Sequence, residues 1–311
     1  MKTTTFAAML AAALLPASAQ DRTLTADAPV RSVFFLPDGK QIIASWDKHM
    51  RTWDAGSGKV ISDRTLEPGV MLADPNFLVE MKDKGFQIWD LSADRHSKII
   101  NGTVDSGAIS SDHKQMAVGS EKDRTVRLLD VATGEQRRVL TDGIGGAASL
   151  AFSPDGAILV GANFDNDVRI WKTQSGELVR KIEDLTGAMF ASAFTPNGAE
   201  LVMGGLDETV YILDGKTFAP KRTLKGHGET IAALAISPDG RTLVTGGFDV
   251  VTEANPVKLL FWDLASGTIT RTVRAAHAVS ALTFSPDGKW LAMAVVGGKE
   301  IALFSLSATA R

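Results

Sequence analysis

The chain has 311 residues, no cysteine, and a formal net charge of −3 from 33 Lys and Arg against 36 Asp and Glu. The missing cysteines exclude disulfides, thiolate metal centres and a Cys nucleophile. The mixed, mildly acidic charge excludes the clustered Lys and Arg footprint that nucleic acid demands.

In chain order, the first predicted element is a secretory leader over residues 1–19. Lys2 gives a positive start, Phe6 to Leu15 is an unbroken apolar run, and Ala17-Ser18-Ala19 has the small-x-small form of a cleavage site. The ten apolar residues from Phe6 to Leu15 fall short of the roughly 20 that cross a bilayer. No second long apolar run follows, so no membrane span is expected. The mature chain is then a single domain over residues 20–311, exported to the periplasm or the extracellular space. Without disulfides it must stand on its core, which a domain of this size can supply.

From here the chain repeats itself. Pro-Asp-Gly occurs at Pro37-Asp38-Gly39, Pro154-Asp155-Gly156, Pro238-Asp239-Gly240 and Pro286-Asp287-Gly288, with a near copy at Pro196-Asn197-Gly198. Weaker copies complete a series of Asp or Asn at 38, 74, 112, 155, 197, 239 and 287, in steps of 36, 38, 43, 42, 42 and 48 residues. Such a period marks a repeat architecture.

Each unit has the same order. An apolar stretch such as Val33-Phe34-Phe35 leads into the Pro-Asp-Gly turn, a hairpin signal because Pro presets φ and Asp-Gly closes the bend. A second apolar stretch and a polar turn containing Asp follow. The third stretch ends in an aromatic or Leu: Trp53, Trp89, Leu129, Trp171, Leu213, Trp262 and Phe304. A Gly-containing turn then leads to a fourth stretch, often Arg-Thr-aliphatic, as at Arg64-Thr65-Leu66, Arg222-Thr223-Leu224 and Arg271-Thr272-Val273. Four short strands per unit, with no helical periodicity, describe one propeller blade. The expected fold is all-β: a seven-bladed β-propeller with four antiparallel strands per blade. The last unit runs out after three strands, and Arg22-Thr23-Leu24 carries the text of a fourth. The N-terminal segment is therefore expected to close the ring by pairing into the last blade.

These units resemble WD repeats, from Asp21 to about Leu306. The resemblance implies a hydrogen-bonded set in each blade: a His before the first strand, a Ser or Thr in the second, an Asp in the next turn, and the Trp. Blade six matches best, with His227, Thr245, Asp249 and Trp262. Turn Asp residues recur at Asp47, Asp83, Asp123, Asp165 and Asp207, and Trp53 and Trp171 fill the aromatic place in blades one and four. Blade seven has no turn Asp and His277 is the other leading His, so blades two and seven are expected to be the least regular.

The residues that could carry chemistry are few. His49, His96 and His113 fall in turns of separate units, which gives no ligand cluster. Asp165-Asn166-Asp167 lacks the rest of a calcium loop, and Gly143-Ile144-Gly145-Gly146 opens no helix that could cradle phosphate. No cofactor or metal is implied. The inner strands, such as Ala148-Ser149-Leu150-Ala151 and Ala232-Ala233-Leu234-Ala235, are small and apolar, with little to ionise at the axis.

The resemblance points instead to the face bearing the second-to-third-strand turns, a frequent partner contact in the family. The positions before the turn Asp are Trp46, Lys82, Lys122, Phe164, Leu206 and Phe248. An insertion from Val250 to Val257, including Glu253 and Asn255, lies on the same face. The function expected is a non-catalytic scaffold, monomeric on its own, for a protein or peptide whose acidic rim would meet Lys82 and Lys122. The alternative is a propeller enzyme or enzyme subunit similar to exported lactonases or to quinoprotein and amine dehydrogenase propellers.

Overall fold

The repeated turn residues set the local geometry. In a computed structural model, which describes residues 22–46, 48–66, 71–140, 147–163, 165–248, 257–275 and 277–306, each Pro-Asp-Gly or Pro-Asn-Gly unit joins the first two strands of a sheet. The Asp or Asn side-chain oxygen accepts the backbone N–H two residues on, from Lys40, Ala157, Ala199, Arg241 and Lys289 at 2.9–3.1 Å. Gly39, Gly156, Gly198, Gly240 and Gly288 hold φ between 67° and 72°, which is nearly free for glycine and strained for other residues. A hydroxyl two residues before the Asp or Asn locks the turn. Ser110, Ser153, Ser237 and Ser285 donate to Asp112, Asp155, Asp239 and Asp287, and Thr195 to Asn197, at 2.5–2.8 Å.

Seven antiparallel sheets follow in chain order. Blade one holds Ser32–Phe35, Gln41–Trp46, His49–Asp54 and Val60–Thr65; blade two Met71–Asp74, Phe77–Lys82 and Gly85–Asp90, with an outer strand split into Arg95–His96 and Ile100–Asn101. Blade three holds Ser106–Ile109, Gln115–Ser120, Thr125–Asp130 and Gln136–Leu140. Blade four holds Ala147–Phe152, Ile158–Asn163, Val168–Lys172 and Leu178–Ile182. Blade five holds Met189–Phe194, Glu200–Gly205, Thr209–Asp214 and Pro220–Lys225. Blade six holds Thr230–Ile236, Thr242–Phe248, Val257–Asp263 and Thr268–Ala275. Blade seven contributes Val279–Phe284, Trp290–Val295 and Glu300–Ser305, and Arg22–Thr25 pairs with the last of these in register Arg22↔Leu303 to Thr25↔Glu300. The first strand of each blade touches those of its two neighbours around the axis. Blade two is irregular, as expected. Blade seven is not, because the N-terminal strand completes its sheet.

Burial is organised by seams between blades. Seven clusters of buried apolar residues each straddle one pair of neighbours. Alternate residues of a strand face opposite sides, so each blade feeds both of its seams. Trp53, Trp89, Leu129, Trp171, Leu213, Trp262 and Phe304 each fill the seam with the preceding blade. In blade five Phe218 takes φ 57° where Gly58, Gly134, Gly176 and Gly267 stand in other blades. Its ring is buried in the seam with blade four, which offsets a backbone that a bulky residue rarely adopts.

The fourth-strand arginines tie the seams on the outside. The guanidinium of Arg138 donates to the Gln174 carbonyl at 3.0 Å, Arg180 to Thr217 at 3.4 Å and Arg222 to Leu264 at 2.6 Å. Arg22 donates to the Ala55 carbonyl across the closure. In each case the acceptor lies in the turn after the third strand of the next blade.

Candidate functional site

Blade six carries the most connected set of polar side chains. Thr245 Oγ1 is 2.6 Å from His227 Nε2 and accepts the Trp262 indole N–H at 2.8 Å. On the other side of the imidazole, Glu229 Oε1 lies 3.4 Å from Nδ1 and also accepts the Lys258 backbone N–H at 2.7 Å. A hydroxyl, an imidazole and a carboxylate in line have the order of a nucleophilic triad. Here Thr245, His227 and Glu229 are at most 3 % exposed, and the hydroxyl is already held by an indole. The arrangement links the connection before blade six to its second and third strands and presents no atom to a substrate. Glu229 escaped the sequence analysis, although a carboxylate two residues past a leading His was its signal. Asp249 lies outside the described residues.

The other histidines are scattered. His49 stacks on Trp46, His96 stacks on Trp89 and lies 3.4 Å from Glu80, and His113 sits edge-on to Phe77, 3.7 Å from Asp74. Among the described residues no group of three or more His, Cys, Asp or Glu is placed to hold a metal. A groove of about 860 Å³ opens between blades six and seven at the Pro-Asp-Gly end, beside Phe261, Arg271 and Phe284. Its carboxylates Asp239 and Asp287 are already engaged by Ser237 and Ser285. Those hydroxyls hold both carboxyls below the usual aspartate range, and Ser110 and Ser153 do the same for Asp112 and Asp155. They serve as turn locks.

The opposite end presents apolar side chains. Leu206 and Phe248, at the ends of the second strands of blades five and six, are 54 % and 49 % exposed. Val296 of blade seven, 49 % exposed, occupies the same place and was not singled out in the sequence. Each follows its turn residue (Asn197, Asp239 or Asp287) by nine positions. The backbone N–H groups of Leu206 and Val296 both bond the carbonyl just before the first strand of their own blade, Ala188 and Ala278.

Trp46 departs from this series and is a correction. It follows Asp38 by eight positions, so its side chain points to the other side of the strand. The indole is 1 % exposed in the seam between blades seven and one, 6.0 Å from the Trp53 ring and under the Arg51 guanidinium at 5.2 Å. It offers no contact surface. Lys82 is likewise one residue inboard, half-buried, with Nζ 3.4 Å from the buried Glu80. Lys122 is exposed, with acidic neighbours Glu121 and Asp123. The positive side expected of this face is therefore not formed by those two lysines.

Blade four to blade five brings acidic groups instead. Asp165 is exposed, 3.9 Å from Arg124. Asp207 accepts the Thr186 hydroxyl at 2.6 Å and the Tyr211 phenol. Burial, together with that carboxylate, raises the Tyr211 phenol above its ordinary value. Asp47, Phe164, Glu253 and Asn255 lie outside the described residues.

Trp53, Trp171 and Trp262 are buried seam residues, at most 2 % exposed. The Trp171 indole N–H has no acceptor among the described residues, since Gly161 stands where blade six has Thr245.

No helix among the described residues is long and apolar enough to cross a membrane. The family model for the WD domain, G-beta repeat, matches residues 19–54, 135–172, 218–249 and 267–300. No curated protein matches the chain at a significant level. Propellers of this kind typically serve as protein-interaction scaffolds and are generally non-catalytic. Four matched repeats within a closed ring of seven blades place the chain in the WD40-repeat β-propeller family.

Proposed function

We propose that the protein is an exported, non-catalytic scaffold that holds a protein or peptide on the face of the second-to-third-strand turns. One observation carries this reading: Leu206, Phe248 and Val296 are exposed at the same turn position in three consecutive blades. Single exposed apolar residues are ordinary, but a run repeated by the symmetry of the ring forms a candidate patch, and such patches mark interaction sites. The buried blade-six set and the locked Pro-Asp-Gly turns leave the other polar clusters with structural work.

The test begins with crosslinking and capture of the partner from an envelope fraction. Phe248→Ser and Leu206→Ser should weaken its binding while leaving the melting temperature nearly unchanged. Substitution of Lys40 and Lys289, beside turns at the other end, should do neither. If the lysine pair disrupts binding and the apolar pair does not, the face is wrong.

Export rests on Lys2, the apolar run Phe6 to Leu15 and Ala17-Ser18-Ala19. N-terminal sequencing of protein recovered outside the cytoplasm should start at Gln20; retention inside with Met1 intact refutes it. Closure of the last blade within one chain supports a monomeric free state, which light scattering checks.

A further inference from the structure

The apolar patch does not lie in a neutral surround, and its charges say what would cover it. This inference rests on the proposed scaffold role and concerns the partner's chemistry.

At the Leu206 end, the connection from blade four to blade five runs directly against the blade-five turn. Thr186 Oγ1 donates to Asp207 at 2.6 Å, and a Cβ on Gly187 would sit 3.1 Å from the Leu206 Cβ. Glu183 and Asp184 on that connection and Glu208 in the turn are exposed. Glu183 is paired with Lys181, but among the described residues neither Asp184 nor Glu208 has an ionic partner. Glu208, two residues past Leu206, and Asp184, three residues before Gly187, thus bring two carboxylates without an ionic partner among the described residues to this end of the patch. The other end differs. At blade seven Lys299, three residues past Val296, is exposed, and between the two ends Lys225 and Arg274, in the fourth strands of blades five and six, are exposed as well.

We infer that the patch binds a chain segment whose apolar side chains cover Leu206, Phe248 and Val296 and whose Lys or Arg residues lie at one end, against Asp184 and Glu208. Exposed carboxylates beside an apolar surface favour a cationic flank and disfavour an acidic one, since like charges brought together across an interface are costly. Lys225, Arg274 and Lys299, spread over the rest of the patch, select against a partner that is basic throughout. This reverses the acidic rim expected from Lys82 and Lys122.

A randomised peptide library selected on the intact protein tests it, followed by affinity measurements on the enriched peptides. Selected sequences should pair Leu, Phe or Val with Lys or Arg on one side. Exchanging those cations for Glu should weaken binding about tenfold at low salt, and added salt should shrink the difference. Asp184→Lys with Glu208→Lys should weaken the cationic peptides by a similar factor, and Phe248→Ser should weaken every selected peptide. Neutral or acidic apolar peptides that bind as well and still depend on Phe248 would overturn the charge assignment and leave the scaffold face standing. Selected peptides indifferent to both Phe248 and Leu206, or a library that enriches nothing, would count against the face itself and so against both readings.

Discussion

Trp46 shows how much one position matters. At a solvent-facing strand end it would be a binding anchor; one residue inboard it is a seam residue between Trp53 and the Arg51 guanidinium. Trp46→Ala should therefore cost about 3–5 kcal/mol in chemical denaturation, the range for a large buried aromatic. A loss within error would mean that the indole is not packed. The opposite holds at Phe248, where removal of a half-exposed ring should cost little stability. Glu229 makes the second residue-scale case. It is buried beside His227 and accepts the Lys258 N–H, so Glu229→Gln removes the charge in that contact while keeping the shape. A loss of about 1–3 kcal/mol is expected, the usual cost of disturbing a buried hydrogen-bonded group. If only His227→Ala destabilises, the carboxylate is a spectator and the His–Thr–Trp link does the holding.

The closing strand is the element on which most depends. Arg22–Thr25 pairs along the last strand of blade seven, buries Leu24 in the seam with blade one, and ties Arg22 to the Ala55 carbonyl. Deleting it removes three kinds of contact at once and bares a sheet edge. The shortened protein should melt lower and aggregate, read by thermal denaturation and light scattering; unchanged values would mean the ring does not need this latch. The strand was legible because Arg22-Thr23-Leu24 repeats the text of the other fourth strands. What that text does was not legible. The acceptors of Arg138, Arg180 and Arg222 lie 36, 37 and 42 residues further on, in the next blade, where no local pattern reaches. The turn face was half legible for a related reason. Blades one and two close their second turn with two residues, Trp46 pairing His49 and Lys82 pairing Gly85, whereas Ser120 pairs Thr125 in blade three. Aligning these turns on their Asp shifts the strand ends by one, and in a strand one is enough to exchange inside for outside. Val296 was missed for want of any turn Asp to mark it.

At the scale of the whole molecule, stability is shared by seven seams and by turns repeated around the ring. A blade alone would expose both apolar faces, so the ring has no independent part. The aspartates express the same distribution. Hydroxyl donors hold Asp112, Asp155, Asp239 and Asp287 below the usual range in the turns between first and second strands, and Ser57 and Ser266 do so for Asp54 and Asp263. Backbone N–H groups, first that of Thr217, lower Asp214. At Asp90 and Asp130 burial opposes the shift, and hydrogen bonds and arginine overcome it. These nine aspartates occur in every blade. A carboxyl with a depressed folded pKa stabilises the protein above its unfolded value, about 3.9 for Asp, and that contribution fades as pH falls through the folded value. The melting temperature should therefore fall most steeply below about pH 4. All of these groups are at least partly exposed, so each contributes little and the fall should be gradual. Combining Ser153→Ala, Ser237→Ala and Ser285→Ala should lower the melting temperature at neutral pH and flatten the acid limb, because the freed aspartates titrate closer to their unfolded value. An acid limb of unchanged steepness in that variant would show that the turn locks do not govern the acid response of the ring.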